Sequence, residues 1–345
     1  MNKSSPISYF AAANSYRGFV SFFKDIFPSE YFNRAYVLKG GPGTGKSSLM
    51  KKIAMNLYDE GYAVEKIHCS SDPSSLDGII ILGKNGKIAI IDGTAPHERD
   101  AVIPGAIDEI INLGENWEKD FLVAEREEIL KLSFEKAKAY ETAYQYLKTA
   151  GKNHEYIFSA QMSSFNKSKA KSLAEYYLKK IRNKNKDKTL TRIISSFGKN
   201  GTYTLPLPNE EMTITVGGGR ESSSLFLNEI LCQIEGNDTG ICIYKNALDQ
   251  RLIDALQIDD ILFVVTDKDY FDIDTGKLSV LSPLDKERIK TSEYMKNVAL
   301  DESIRWFKVA SDIHFRLEEI YGRAMNFEKN DLILCKILEE IKNIL

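Results

Sequence analysis

Cysteine is scarce in this chain: Cys69, Cys232, Cys242 and Cys335 are the only four in 345 residues, and none stands at a paired spacing. That argues against a disulfide framework and against a structural zinc site, which needs closely spaced thiolates or imidazoles; reduced thiols of a cytoplasmic protein fit better. Charge of one sign is not in excess either. The 46 Lys and Arg against 49 Asp and Glu leave a net charge of −3, so overall charge implies no nucleic-acid or membrane partner. Long apolar runs are missing too. The stretch after Pro6 is broken by Asn14, Ser15, Tyr16 and Arg17, and no later segment approaches the ~20 apolar residues of a membrane span. The expectation is a soluble, cytoplasmic chain, long enough for two domains with sizeable cores.

What is present is a phosphate-binding loop. Residues Gly40-Gly41-Pro42-Gly43-Thr44-Gly45-Lys46-Ser47 follow the apolar run Ala35–Leu38 and precede a helical sequence that opens with Ser48. A loop whose backbone N–H groups must curl around phosphate oxygens cannot carry side chains on its inner surface, hence Gly41, Gly43 and Gly45. The helix that begins there adds unpaired N–H groups and the positive end of its dipole. In this pattern Gly41 to Ser48 bind the nucleotide, Lys46 reaches the β- and γ-phosphates, and the Ser47 hydroxyl ligates Mg²⁺.

Around this loop the apolar pattern alternates strands with helices: Ala35–Leu38, a helix over Lys46–Tyr58, then strands near Ala63–Cys69, Ile79–Ile81 and Ile88–Asp92. Unalternating apolar strands predict an α/β fold with a parallel sheet covered by helices on both faces. Beyond Gly114, Leu130, Phe134, Ala137, Tyr144 and Leu147 recur at helical spacing, and a second helix over Ser172–Ile181 completes a helical hairpin.

The same order of elements then returns, which predicts a duplication. Thr213–Val216 and Gly217-Gly218-Gly219-Arg220-Glu221-Ser222-Ser223 align with the first strand and loop, placing Ser223 on Ser47 at an offset of 223 − 47 = 176. A helical tail with Trp306, Val309, Ile313, Leu317 and Ile320 follows. The expected domains are residues 1–185, with a helical appendage over about 115–182, and 186–345, with an appendage over about 283–345. At this alignment Ser222 replaces Lys46 and Glu221 replaces Gly45. A carboxylate there repels a triphosphate, so the second copy is read as non-catalytic. Arg220, at the place of Thr44, would act as an arginine finger only if the two loops met, inside one chain or across a homodimer. Its plainer reading is a pair with Glu221 or a place in solvent.

Asp92 ends an apolar strand, where such folds hold Mg²⁺ by an acid; the competing reading is an ordinary Asp-Gly strand-end turn. Because Gly93 follows it, no base for water is adjacent. Asp72 and Glu98 are the replacements considered, Asp72 as a catalytic residue and Glu98 more as a solvated acid. His97 could polarise a phosphate or make a structural hydrogen bond. His154 and His314 read as ordinary residues of helices. Lys167, Lys169, Lys171, Lys179, Lys180, Arg182, Lys184, Lys186, Lys188 and Arg192 form a basic stretch. A solvated helix face leading into a linker at Asn183–Asp187 is favoured for it over nucleic-acid contact. The guanine-reading order Asn/Thr-Lys-x-Asp is absent, Thr266-Asp267-Lys268-Asp269 being out of order, which favours ATP over GTP.

The strings Lys39–Met50, His68-Cys69-x-x-Asp72-Pro73-x-Ser75-Leu76-Asp77, Ala89–His97 and Pro104-Gly105-Ala106-x-Asp108-Glu109-Ile110-Ile111-x-Leu113-Gly114 together resemble the tandem P-loop ATPases of Gram-positive, often spore-forming bacteria. The resemblance covers nearly the whole chain and implies two P-loop NTPase domains and ATP binding, without naming a substrate. The expected activity is hydrolysis of MgATP at the first copy through Lys46, Ser47 and Asp92. A kinase using the same loop with Asp72 near the acceptor, and a nucleotide-gated binding module without turnover, stay open as alternatives.

Overall fold

A computed structural model describes residues 6–179, 189–208, 210, 212–234 and 240–345. Strand β1 (Ile7–Phe10) leads into a hairpin of β2 (Ala12–Ser15) and β3 (Gly18–Ser21), then the single-turn helix α1 (Phe23–Ile26). Next come β4 (Arg34–Lys39), α2 (Lys46–Asp59), β5 (Ala63–His68), β6 (Leu76–Gly83), β7 (Gly86–Asp92) and β8 (Asp108–Asn112). A helical part follows: α3 (Lys119–Ala124), α4 (Arg126–Ser164) and α5 (Lys167–Leu178). The chain then forms β9 (Leu190–Ile193), a hairpin of β10 (Ser195–Gly198) and β11 (Gly201–Thr204), β12 (Met212–Gly217) and α6 (Arg220–Ile234). It ends with β13 (Ile241–Lys245), β14 (Ile253–Ile258), β15 (Ile261–Val265), β16 (Ile273–Asp274), α7 (Pro283–Arg323) and α8 (Phe327–Ile344).

The fold is α/β, built on one mixed sheet of 12 strands in the order β16-β12-β15-β14-β13-β9-β1-β5-β6-β7-β4-β8. Read outward from the centre, the two halves list corresponding strands in the same order and with the same pairing senses. They meet where Phe10 of β1 opposes Ile193 of β9 in an antiparallel pair. The expected parallel sheet is corrected: β6 is antiparallel to both β5 and β7, and β14 to both β13 and β15. Lys84 and Asn85 alone separate the paired Gly83 and Gly86, and so short a loop can join only antiparallel strands.

The expected helices on both faces are also corrected. In the first half, Tyr36, Leu38, Ile79, Ile81, Ile88 and Ile90 face α2 and α8, while Ala35, Ile67, Ile80, Ala89 and Ile91 meet Phe23, Phe27 and Phe32. In the second half, Val216, Ile243, Leu256 and Phe263 face α5 and α6; the opposite face, with Cys242, Tyr244, Ala255 and Leu262, meets Ile194 and Leu207. The strands are apolar throughout because both faces are covered, but long helices cover only one of them.

The helical arms are exchanged. Helices α4 and α7 pack along one another, α5 lies on α6 of the second half through Ala170 and Ala174, and α8 lies on α2 of the first half through Ile337 and Ile341. The buried stripe of α4 is Leu132, Ala139, Ala143, Leu147, Ala150, His154 and Ile157, whereas Leu130 and Phe134 are exposed. In α7 it is Ser303, Phe307, Ala310, Leu317 and Ile320, with Trp306 and Val309 only partly covered. Small side chains at the crossing let two helix backbones approach, so the interface follows Ala and Ser rather than the larger apolar residues beside them. Among the described residues, no helix is long and apolar enough to cross a membrane.

Candidate functional site

Strand β4 is buried from Ala35 to Leu38 and delivers the chain into the glycine loop at the edge of the core. Gly43 (φ 68°) and Gly45 (φ 84°) take left-handed backbone conformations, which favour glycine and let the loop close tightly before α2 begins at Lys46. Thr44 Oγ1 donates to the Gly41 carbonyl at 2.9 Å. Lys46 folds back over the loop, its Nζ donating to the Gly40 and Gly41 carbonyls at 2.9 Å each. The same nitrogen lies 3.8 Å from Asp92 Oδ2. Burial lowers its affinity for a proton, and Asp92, Glu318 and Asp77 act in the opposite direction.

Asp92 is the last residue of β7 and pairs in register with Leu38 of β4, so the sheet itself sets the acid beside the loop. Its Oδ1 accepts from Thr94 N at 2.9 Å and Thr94 Oγ1 at 2.5 Å. One oxygen thus serves the strand-end turn that the sequence also offers, while the other faces Lys46. Ser47 Oγ accepts from the backbone N–H of Leu76 at 3.0 Å, tying the first turn of α2 to the start of β6.

Asp77, the next residue of β6, has no role in the sequence reading, yet it lies at the centre of the site. Ligand atoms of Asp77, Asp92 and His97 all fall within 4.8 Å of one another. Its signal in the sequence is an acid at the head of an otherwise apolar strand. Burial, and then the charge of Asp92, push the Asp77 carboxyl up to about 8, against the pull of Cys69 and Lys46. His97 Nε2 lies 3.6 Å from Asp77 Oδ1. Its ring stacks on Phe23 with centroids 4.6 Å apart, and its Nδ1 is buried without a hydrogen-bond partner. Burial lowers the pKa of His97, so the ring is held towards its neutral form.

Asp72 does not join this group. Its Oδ2 accepts from Lys199 Nζ at 2.6 Å and its Oδ1 from Ser74. Burial alone would raise its carboxyl, but the bonds from Lys199 and Ser74 outweigh this and hold it below the ordinary range. Glu98 is exposed. Of the basic stretch, Lys167, Lys169, Lys171 and Lys179 are exposed on or just after α5, and residues 180–188 lie outside those described. Arg192 is no part of a basic surface: it is buried, 3.0 Å from Glu65 Oε2, with its guanidinium 4.3 Å from the Tyr9 ring centre.

The second loop is shifted by one residue from the expected alignment. Ser224 Oγ accepts from Ile253 N at 2.8 Å, as Ser47 does from Leu76 N, and both links span 224 − 47 = 253 − 76 = 177 positions. The buried positions Leu49, Met50, Ile53 and Leu57 of α2 recur at the same offset as Phe226, Leu227, Ile230 and Ile234 of α6. The offset of 176 therefore gives way to 177, because the second loop is one residue shorter. Ser223 stands in the place of Lys46, Ser222 of Gly45, Glu221 of Thr44 and Arg220 of Gly43. Val265 pairs with Val216 where Asp92 pairs with Leu38, so a valine stands in the place of that acid. Arg220, its side chain 37% exposed, donates to Asp254 at 2.8 Å and to Asp267 at 2.6 Å rather than pairing with Glu221. Bound to two carboxylates of its own half, it is not poised as a finger for the other loop.

Residues of the C-terminal arm wall the first loop. A Cβ on Gly43 would collide with the carbonyl oxygen of Glu318, and one on Gly41 would touch Trp117 and Tyr321. Asn330 Nδ2 donates to the Thr44 carbonyl at 2.9 Å. Of the helical histidines, one is a core residue and one lies near the surface. His154 is buried, with Nε2 3.1 Å from Asp249 and Nδ1 3.6 Å from Glu221. His314 lies 3.6 Å from Glu318, and burial with the charges of Lys136 and Lys46 pushes its pKa down to about 4. No protein-family model, curated protein or solved structure matches this chain.

Proposed function

We propose that the chain binds and hydrolyses MgATP at the loop Gly40–Ser47, and that its two halves are tandem P-loop NTPase units of which the second, degenerate copy is non-catalytic. The observation that carries this reading is Lys46 folded onto the loop carbonyls, 3.8 Å from an acid at the end of the adjacent strand. An ammonium in that position is free to exchange two carbonyls for phosphate oxygens, a charge-assisted and stronger contact. The loop amides from Gly41 to Ser48 and the start of α2 supply the remaining donors.

The residues fit a divalent cation. Ser47 and Asp92 offer hard oxygen donors, and the ligand atoms of Asp77 and His97 lie with those of Asp92 within 4.8 Å of one another. Mg²⁺ there would offset the negative charge of the phosphates. The cation would be held by Ser47 and Asp92. Asp77, neutral at its raised pKa, and His97 complete the wall. The resemblance to tandem P-loop ATPases supports the same reading, as does the repeated strand order, and ATP is favoured over GTP because no guanine-reading motif follows the loop.

Calorimetric titration tests this. One MgATP per chain is expected, with slow turnover that needs no added acceptor. Lys46→Ala is expected to weaken binding at least tenfold, about 1.4 kcal/mol, with the melting temperature unchanged. Equal affinity in the two proteins, or two equivalent sites per chain, would overturn the assignment.

A further inference from the structure

We infer that Glu318, carried by the C-terminal arm, is the base that accepts a proton from the water attacking the γ-phosphate at the first loop. The inference rests on the MgATP hydrolysis proposed above, and it supplies the acid that Gly93, next to Asp92, cannot.

The two arms correspond residue by residue. Asn166 and Asn326 each cap the second helix of an arm, their side chains accepting from Lys169 N and Lys329 N. Each also donates its backbone N–H across to the other half, Asn166 to Leu278 O at 2.7 Å and Asn326 to Asn116 O at 3.0 Å. The offset of 326 − 166 = 160 carries His154 onto His314 and Phe158 onto Glu318. The acids they approach correspond as well: Asp249 follows Asp72 by 249 − 72 = 177 positions, the offset of the two loops.

At the second loop this junction is sealed. The His154 side chain is 3% exposed and lies between Asp249 and Glu221. Arg251 closes over Asp249 at 2.6 Å and sits 4.8 Å from the Phe158 ring. At the first loop the same junction is open: the side chains of His314 and Glu318 are 40% and 44% exposed. The arm beside the loop that keeps its lysine therefore carries a carboxylate at this position, where the other arm carries a phenyl ring against Arg251.

Position agrees with chemistry. The Glu318 carbonyl lies against Gly43 at the outer turn of the loop, and its carboxylate acts electrostatically on Lys46. The charged groups around it are Asp72, Lys199, Lys46 and Lys136, with His314 one helical turn away. Partial desolvation against the loop raises the Glu318 carboxyl above its ordinary value, followed by the repulsion of Asp72, while the three lysines pull it back. In the step, the water oxygen bonds to the γ-phosphorus as the bond from that phosphorus to the bridging oxygen breaks. The electron pair leaves on ADP, the water proton passes to Glu318, and Lys46 offsets the charge on the phosphates. A competing view makes Glu318 no more than a helix-surface partner of His314, a contact worth little.

Glu318→Gln keeps the shape and removes the base. Expected is an MgATP Kd within about threefold of wild type and an unchanged melting temperature, with turnover down about 100-fold or more. Glu318→Asp, which keeps the carboxylate, is expected to retain more turnover than the Gln variant. Turnover of Glu318→Gln equal to wild type would overturn this inference alone. Equal losses in the Gln and Asp variants with a lowered melting temperature would mark a structural role and overturn it as well. A wild-type protein that does not bind MgATP would overturn the hydrolysis reading and this one with it.

Discussion

The guanidinium of Arg220 is held 2.8 Å from the carboxylate of Asp254, at the place where the first half sets Asp77 beside Asp92 and His97. In one half a guanidinium thus pairs directly with the strand acid, where in the other half that acid lies among Asp92, His97 and, beyond Asp92, Lys46.

Asp254 is buried, and among the described residues Asn246 and Ser195 donate to it besides Arg220. Arg220→Ala is expected to destabilise the chain by about 1–3 kcal/mol, the cost of leaving a buried acid short of partners, and to leave MgATP affinity unchanged. Adding Asp254→Asn is expected to recover part of the loss. Denaturant unfolding of the single and double variants checks this, and a single variant as stable as wild type would refute it.

Asp77 titrates at about 8 in the folded chain, above the ~3.9 of an unfolded aspartate. The folded state therefore binds the extra proton between these values. The stability this contributes is complete below about pH 4 and is lost as pH rises through about 8. Without divalent cations, Asp77→Asn is expected to melt higher than wild type at pH 8.5 and to lose that advantage towards pH 4. Parallel melting curves across that range would refute the assignment.

Gly43 combines a left-handed backbone with the Glu318 carbonyl at its open side. Gly43→Ala is expected to cost at least about 1–2 kcal/mol from backbone strain alone. It should also push the arm from the loop and weaken MgATP binding. Thermal melts and calorimetry read the two effects, and wild-type values in both would contradict the contact.

The strand, loop and first helix were readable because their determinants are local. Eight consecutive residues carry the backbone freedom, the ammonium and the hydroxyl of the loop, and Asp92 ends the strand that pairs with it. The repeated order of elements was readable too, but the alternation of strands and helices was not borne out, since β5, β6 and β7 follow one another as antiparallel neighbours. Asp77 was not, since one acid before Gly78 looks like any strand end until β6 runs antiparallel and turns it towards Asp92. The one-residue shift at the second loop was hidden because Ser222, Ser223 and Ser224 are identical residues; the hydrogen bond from Ile253 N and the buried positions of α6 tell them apart.

Local chemistry in the sequence by itself determined the elements: glycine where φ must be positive, apolar periodicity where a face must be buried, and Asn at the caps of both arms. It left their partners undetermined, because an apolar stripe is covered equally well by any apolar surface of matching shape. Tertiary structure decided that α5 lies on α6 and α8 on α2, that β1 and β9 join the halves through Phe10 and Ile193, and that Glu318 comes to rest on Gly43. These pairings join residues far apart in the chain, where the sum of burial, close helix approach and charge selects the partner and no short stretch of sequence encodes it.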